Sequence, residues 1–175
     1  MKLPKYMPPN KGEKGFTLVE LLIVVIILAV LAAIVIPQFT SSTDEAKDAA
    51  LKTTLSEMRN AIELYYHQHN STYPGFNKAA DGTAGGAASD FTAQLTLYTS
   101  VTGQTANTKD VTYKYGPYLK KSVLPSNPVD GLNTLVLNSG LTVGDITATG
   151  TAAGGWWFDT TSGKFLANIA AYYTY

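Results

Sequence analysis

The sequence predicts an α+β protein in which one long N-terminal helix, half membrane-spanning and half amphipathic, packs on a small antiparallel β-sheet head. Three observations lead there. An unbroken apolar run fills residues 16–36, apolar side chains then recur at helical spacing to residue 69, and short strand-like segments bounded by turn residues occupy the C-terminal half. The 175 residues suffice for one such head. Thirteen basic and thirteen acidic residues give zero net charge, which removes the electrostatic ground for nucleic-acid binding. The lack of cysteine removes disulfide frameworks, thiol catalysis and Cys-based zinc sites. A mean hydropathy of +0.01 averages the apolar run with a polar, Gly/Thr/Ala-rich remainder.

Residues 1–15 carry Lys2, Lys5, Lys11 and Lys14 against Glu13, with three prolines and two glycines, and read as a basic leader held on the cytoplasmic side. From Phe16 to Ile36 the only polar side chains are Thr17 and Glu20. A helix of this length reaches about 31 Å, matching a bilayer core. It exceeds the apolar part of a secretory signal and no small-residue cleavage pattern follows it, so a retained membrane helix is expected. Glu20 is the anomaly, because a carboxylate in a spanning helix is costly unless paired. Either it snorkels to the membrane surface, or it meets a cation made by processing. Cutting the Gly15-Phe16 bond would free an ammonium on Phe16 able to neutralise Glu20 in a neighbouring copy.

Gly15-Phe16-Thr17-Leu18-Val19-Glu20, with the apolar run that ends at Pro37, resembles the prepilin motif of type IV pilins and type II secretion pseudopilins. The resemblance implies a pilin-like fold, cleavage after Gly15 by a membrane prepilin peptidase, N-methylation of Phe16, and a homo-oligomeric helical filament whose register Phe16 and Glu20 select. It also implies an inner-membrane assembly platform and minor pseudopilins as partners. Without its leader the chain has nine basic and twelve acidic side chains, a net charge of −3. The expected location is the inner membrane, single-pass, with the head in the periplasm or outside.

Residues 37–69 continue the helix, with Leu51, Leu55, Met58, Ile62 and Tyr65 spaced 4, 3, 4 and 3 on one face. The other face is charged and includes Asp48 and Lys52 in the favourable i, i+4 order. Pro37 removes a backbone donor, predicting a kink or a melted turn near residues 33–37, or simply marking the membrane exit. Asn70 and Tyr73-Pro74-Gly75 supply the stop. His67 and His69, two apart, cannot form an i, i+4 metal pair and are expected on the surface of a fraying helix end.

The head, residues 70–175, begins with a Gly/Ala/Thr-rich loop over 79–108, interrupted by one short helix capped by Asp90 and carrying Phe91, Leu95 and Tyr98. Residues 111–115 and 132–137 have strand composition, and residues 156–159 and 164–169 form a hairpin around Thr160-Thr161-Ser162-Gly163. Phe165, Ala167 and Ile169 share the face turned to the helix. The nineteen Trp, Tyr and Phe residues are expected to serve core and hairpin packing, with electron conduction or adhesion as the alternative.

Tyr73-Pro74 after the helix, and Leu124-Pro125-Ser126-Asn127-Pro128 before the sheet, are similar to major pseudopilins. In that group an Asp-Pro-Trp-Gly element and an Asp-rich loop form a calcium site. Here the element reads Asn127-Pro128-Val129-Asp130-Gly131 and the loop's second acid is missing, so Asp130 and Asp159 either supply part of a calcium site or merely sit in turns. The motif set contains no phosphate loop, nucleophile elbow or HExxH, and no catalytic residue is expected. Three functions are consistent with these residues: a type II secretion pseudopilus subunit; a surface type IV pilus subunit for adhesion, motility, DNA uptake or electron transfer; or a non-polymerising membrane-anchored binding domain. Glu20 argues against the last, which has no use for a buried carboxylate.

Overall fold

The computed structural model describes residues 15–138 and 154–173, with the backbone alone for residues 35–41. Helix α1 (Leu18–Gln68) is followed by α2 (Ala88–Thr96), strands β1 (Tyr98–Thr99), β2 (Thr105–Ala106), β3 (Leu135–Asn138), β4 (Trp156–Asp159) and β5 (Phe165–Ala167), and a 3-10 turn (Ala170–Tyr172). This is a pilin-like α+β fold. The chain divides into two compact units, Met1–Asp44 and Glu45–Tyr175.

In the first unit the apolar side chains of residues 18–34 are half or more exposed on every side of the helix, from Leu18 at 82% to Ile34 at 58%. Among the described residues no helix is long and apolar enough to cross a membrane. The 16–36 span read from the sequence extends to Val35 and Ile36, whose side chains lie outside the described ones. The helix is assigned continuously through Pro37. The kink expected there likewise falls among residues whose side chains are outside the description.

In the second unit the helical periodicity finds its partner. Leu51, Leu55, Met58, Ile62 and Tyr65 are each at most 1% exposed, and they meet Phe91 and Leu95 of α2 and Trp156, Phe158, Phe165 and Ala167 of the sheet in one buried cluster. Each such apolar side chain contributes about 1.5–3 kcal/mol on burial. The helix stops because Asn70 (φ 52°) and Ser71 (φ 57°) turn left-handed, letting the Ser71 N–H close on the Tyr66 carbonyl at 3.2 Å.

The larger sheet has the order β3-β4-β5. The expected hairpin is present, with β4 and β5 antiparallel, whereas β3 runs parallel to β4 and makes the sheet mixed. A separate antiparallel pair, β1 with β2, lies outside the expected set. Both faces of β4 and β5 are buried: Trp157 and Leu166 point away from the main cluster and pack with Val136 and Tyr173. Phe165 and Ala167 sit on the face turned to α1, as expected, and the opposite face is buried as well.

Residues 111–115 do not form a strand; only an isolated Thr99 to Tyr115 bridge remains. The Asp110 carboxylate accepts the Thr112 and Tyr113 N–H groups, both at 2.7 Å, and consumes donors a strand ladder needs. In α2 Asp90 stands one turn inside the helix, not at the cap, and Tyr98 belongs to β1. Its carboxylate accepts the Ala87 N–H at 2.8 Å and the Ala79 N–H at 2.9 Å, tying the preceding loop to the helix start. Asp90→Ala is expected to destabilise the head by about 1–2 kcal/mol in chemical denaturation, because the part-buried Ala79 N–H and the exposed Ala87 N–H at the helix start both lose their acceptor.

Candidate functional site

The structure resolves the N-terminal motif into two parts. Gly15 and Phe16 are non-helical and exposed, Phe16 by 84%. Thr17 then caps α1: its N–H and its hydroxyl both donate to Glu20 Oε2 at 2.8 Å, and the Glu20 N–H donates back to Thr17 Oγ1 at 3.2 Å. This is a capping box, in which Thr and the Glu three residues on satisfy the first free donors of the helix. The Gly15-Phe16 bond therefore lies just outside the helix, in exposed chain without regular secondary structure. A Cβ built on Gly15 meets nothing within 4 Å, so the chain's own packing does not demand glycine there. The Thr-x-x-Glu spacing is legible in the sequence, and reading Glu20 only as a membrane anomaly misses it.

Asp130 and Asp159 are not brought together. Asp130 accepts the Leu132 and Gly155 N–H groups, both at 2.8 Å, at the start of β4. Asp159, 2% exposed, closes the hairpin turn, accepting the Thr161 N–H at 2.9 Å and the Ser162 hydroxyl at 2.6 Å at the end of β4. The length of the strand, about 13 Å, separates the two. A calcium ion binds oxygens at about 2.3–2.6 Å, so one ion does not fit both. Among the described residues no group of three or more His, Cys, Asp or Glu is placed to hold a metal.

His69 is not a surface residue: it is 1% exposed. Its ring stacks on Tyr65 with centroids 3.6 Å apart, Nδ1 lies 2.7 Å from the Tyr65 carbonyl, and Nε2 lies 2.9 Å from Thr99 Oγ1. The carbonyl can only accept, so Nδ1 carries the proton and Nε2 accepts the Thr99 hydroxyl. Tyr115 and Tyr118 close the cage at 5.3 and 6.2 Å, with Lys114 Nζ 5.1 Å over the Tyr115 ring. Burial raises the Tyr65 hydroxyl and pushes Tyr118 up to about 12, so both stay neutral. Burial lowers His69 from its ordinary 6.5. The unfolded chain therefore binds a proton that the folded one refuses, and stability present above pH 6.5 is lost as pH falls below it, by at most about 1.4 kcal/mol per pH unit. His69→Gln should flatten this difference in denaturation series between pH 7 and 5; an unchanged slope would refute it.

Other ties also come from distant partners. The buried Gln94 accepts the Gly75 N–H at 2.7 Å and donates to the Asn77 and Gly103 carbonyls. Asn127, in the Leu-Pro-Ser-Asn-Pro segment, donates to the Gly155 carbonyl at 2.9 Å, and Trp156 Nε1 donates to the Pro125 carbonyl at 2.7 Å. That segment is a clamp on the start of β4.

The family described as "Prokaryotic N-terminal methylation motif" matches residues 10–36. The type II secretion system core protein G of Vibrio cholerae is 30% identical over 122 residues, which cover 70% of this chain and 69% of that protein. The chain belongs to the type IV pilin-like family. Its pilin-like character extends to two further relatives. The core protein G of Pseudomonas aeruginosa is 38% identical over 37% of this chain, and the major component of the type IV narrow pilus of Thermus thermophilus is 43% identical over 29%. The matched segments span slightly under half the length of these two relatives, 45% and 44%. No solved structure matches the chain.

Proposed function

We propose that this pilin-like protein is the structural subunit of a type II secretion pseudopilus, polymerising through its N-terminal helix to drive protein export. The observation that carries the reading is the reach of the similarity to a secretion core protein G: it covers 70% of the chain, far beyond the 10–36 motif, whereas similarity to the narrow-pilus component covers 29%. The physical basis is the first unit, where apolar side chains of residues 18–34 are exposed all round the helix. Such a surface is covered by lipid before assembly and by neighbouring helices after it, so dispersion and shape drive the exchange. A head-to-tail contact that does not close then yields a filament.

In this reading a prepilin peptidase cuts after Gly15 and methylates Phe16, the subunit waits in the inner membrane with its head outside the cytoplasm, and an assembly platform with minor pseudopilins starts the fibre. The role is structural and not enzymatic. The surface-pilus reading is favoured by similarity to pilus proteins, among them the narrow-pilus component of Thermus thermophilus and the type IV major pilin of Myxococcus xanthus, which covers 39% of the chain. Mass spectrometry of the native N-terminal peptide, with electron microscopy of sheared surface material from the same cells, tests both. The expected result is a peptide starting at methylated Phe16 and no such subunit in sheared fibres. Its presence in sheared fibres favours the surface pilus, and a peptide starting at Met1 overturns the whole class.

A further inference from the structure

Within the second unit, residues 109–121 hold four of the nine basic side chains of the leader-free sequence, against Asp110 alone. Lys109, Lys114, Lys120 and Lys121 are all exposed, and none is in an ion pair among the described residues. Val111, between Lys109 and Lys114, is 95% exposed. A tight turn fixes it there: the Asp110 carboxylate accepts the Thr112 and Tyr113 N–H groups at 2.7 Å, and the Asp110 N–H donates to the Tyr113 carbonyl at 3.3 Å. Tyr115 moors the turn to the head by exchanging both backbone hydrogen bonds with Thr99, at 3.0 and 3.2 Å. Val101, 40% exposed, joins Val111, Lys114 and Tyr115 around an open hollow of about 350 Å³. The Ser100 and Thr102 hydroxyls, 3.0 Å apart, add a polar side to it.

Two aliphatic tips held out among lysines suit the interface of an anionic bilayer, where hydrocarbon takes the valines and lipid phosphates take the ammonium groups. A nucleic acid would use the lysines but offers aliphatic tips nothing to enter. Its bases stack on aromatic faces, and here Lys114 Nζ already lies 5.1 Å over the Tyr115 ring. Outside this segment the leader-free chain has five basic against eleven acidic side chains, so an anionic surface repels the rest and selects this tip.

We propose that the tip formed by Val101, Val111 and Lys114 docks on an anionic phospholipid surface, with the valines in the acyl boundary and Lys109 and Lys114 on lipid phosphates. The contact needs the apolar and the basic parts together, because either signal alone gives only weak, reversible membrane binding. It needs no second copy of the chain, so it stands apart from the filament reading.

The full chain is held in nanodiscs of phosphatidylcholine, so that its apolar helix is already covered, and is then offered separate vesicles. The expected result is flotation of the nanodiscs with vesicles of about one third phosphatidylglycerol and none with vesicles of phosphatidylcholine alone. Because the natural chain has no cysteine, Val111→Cys takes a single NBD label, whose emission should shift to the blue on the anionic vesicles. Lys109→Glu with Lys114→Glu should weaken vesicle binding by about a hundredfold and Val111→Asp by about tenfold. Both variants should keep the denaturation midpoint, since all three side chains are exposed. No flotation with the anionic vesicles overturns the proposal. So does binding that is indifferent to Val111→Asp while duplex DNA displaces the vesicles, which would assign the lysines to a nucleic acid.

Discussion

Glu20→Ala is expected to stop incorporation into filaments while leaving cleavage after Gly15 intact. The carboxylate has two possible partners, and the structure shows one of them: Thr17, whose N–H and hydroxyl hold Oε2 in the capping box. The box satisfies Glu20 within the single chain, so a subunit can wait in the membrane without a neighbour. In the filament proposed above, the Phe16 ammonium of an adjacent copy would compete for the same oxygens, and only the correct axial step would bring it within reach. Alanine removes both roles, so Glu20→Gln is the sharper variant. Glutamine keeps the capping hydrogen bonds but cannot pair with a cation. Both variants should lower the filament fraction by about a hundredfold, the scale of leaving one charge of a buried pair alone. A Glu20→Gln subunit that assembles normally while Glu20→Ala fails would assign the residue to capping and not to register.

Gly15→Val should leave an uncut, membrane-retained precursor and no filament. The effect is isolated from folding, because a Cβ at residue 15 meets nothing within 4 Å and the residue precedes the first helical turn. In the proposed reading the restriction comes from the peptidase, which would approach the backbone closely at the scissile bond. N-terminal mass spectrometry of the membrane fraction reads the outcome. Mature protein starting at Phe16 from the valine variant would end the cleavage claim. Because the head contributes nothing to this step, its denaturation midpoint should be unchanged in the same preparation.

Some of this was legible along the chain. The spacing of Leu51, Leu55, Met58, Ile62 and Tyr65 identified the buried face of α1, since a 3.6-residue period is a property of neighbours in sequence and survives whatever packs against it. The hairpin of β4 and β5 was legible for the same reason, its turn being closed by Asp159 and Gly163 within five residues. Strand composition misled at residues 111–115, where Asp110 turns the backbone instead, and it said nothing about direction: β3 would look the same parallel or antiparallel to β4.

The sequence by itself therefore determined the N-terminal motif, the register of the amphipathic helix and membership of the pilin-like family, all of which reside in residues a few positions apart, whereas the Thr17 and Glu20 cap came from the structure. Only the tertiary structure decided that His69 is caged between Tyr65, Thr99, Tyr115 and Tyr118, that Asn127 and Trp156 clamp the sheet to its preceding loop, and that Asp130 and Asp159 end on opposite ends of β4. Those partners are separated by up to tens of residues, and which of many compatible polar groups meet is settled by the packing of the whole core, where a buried donor or acceptor left without a partner costs too much to tolerate.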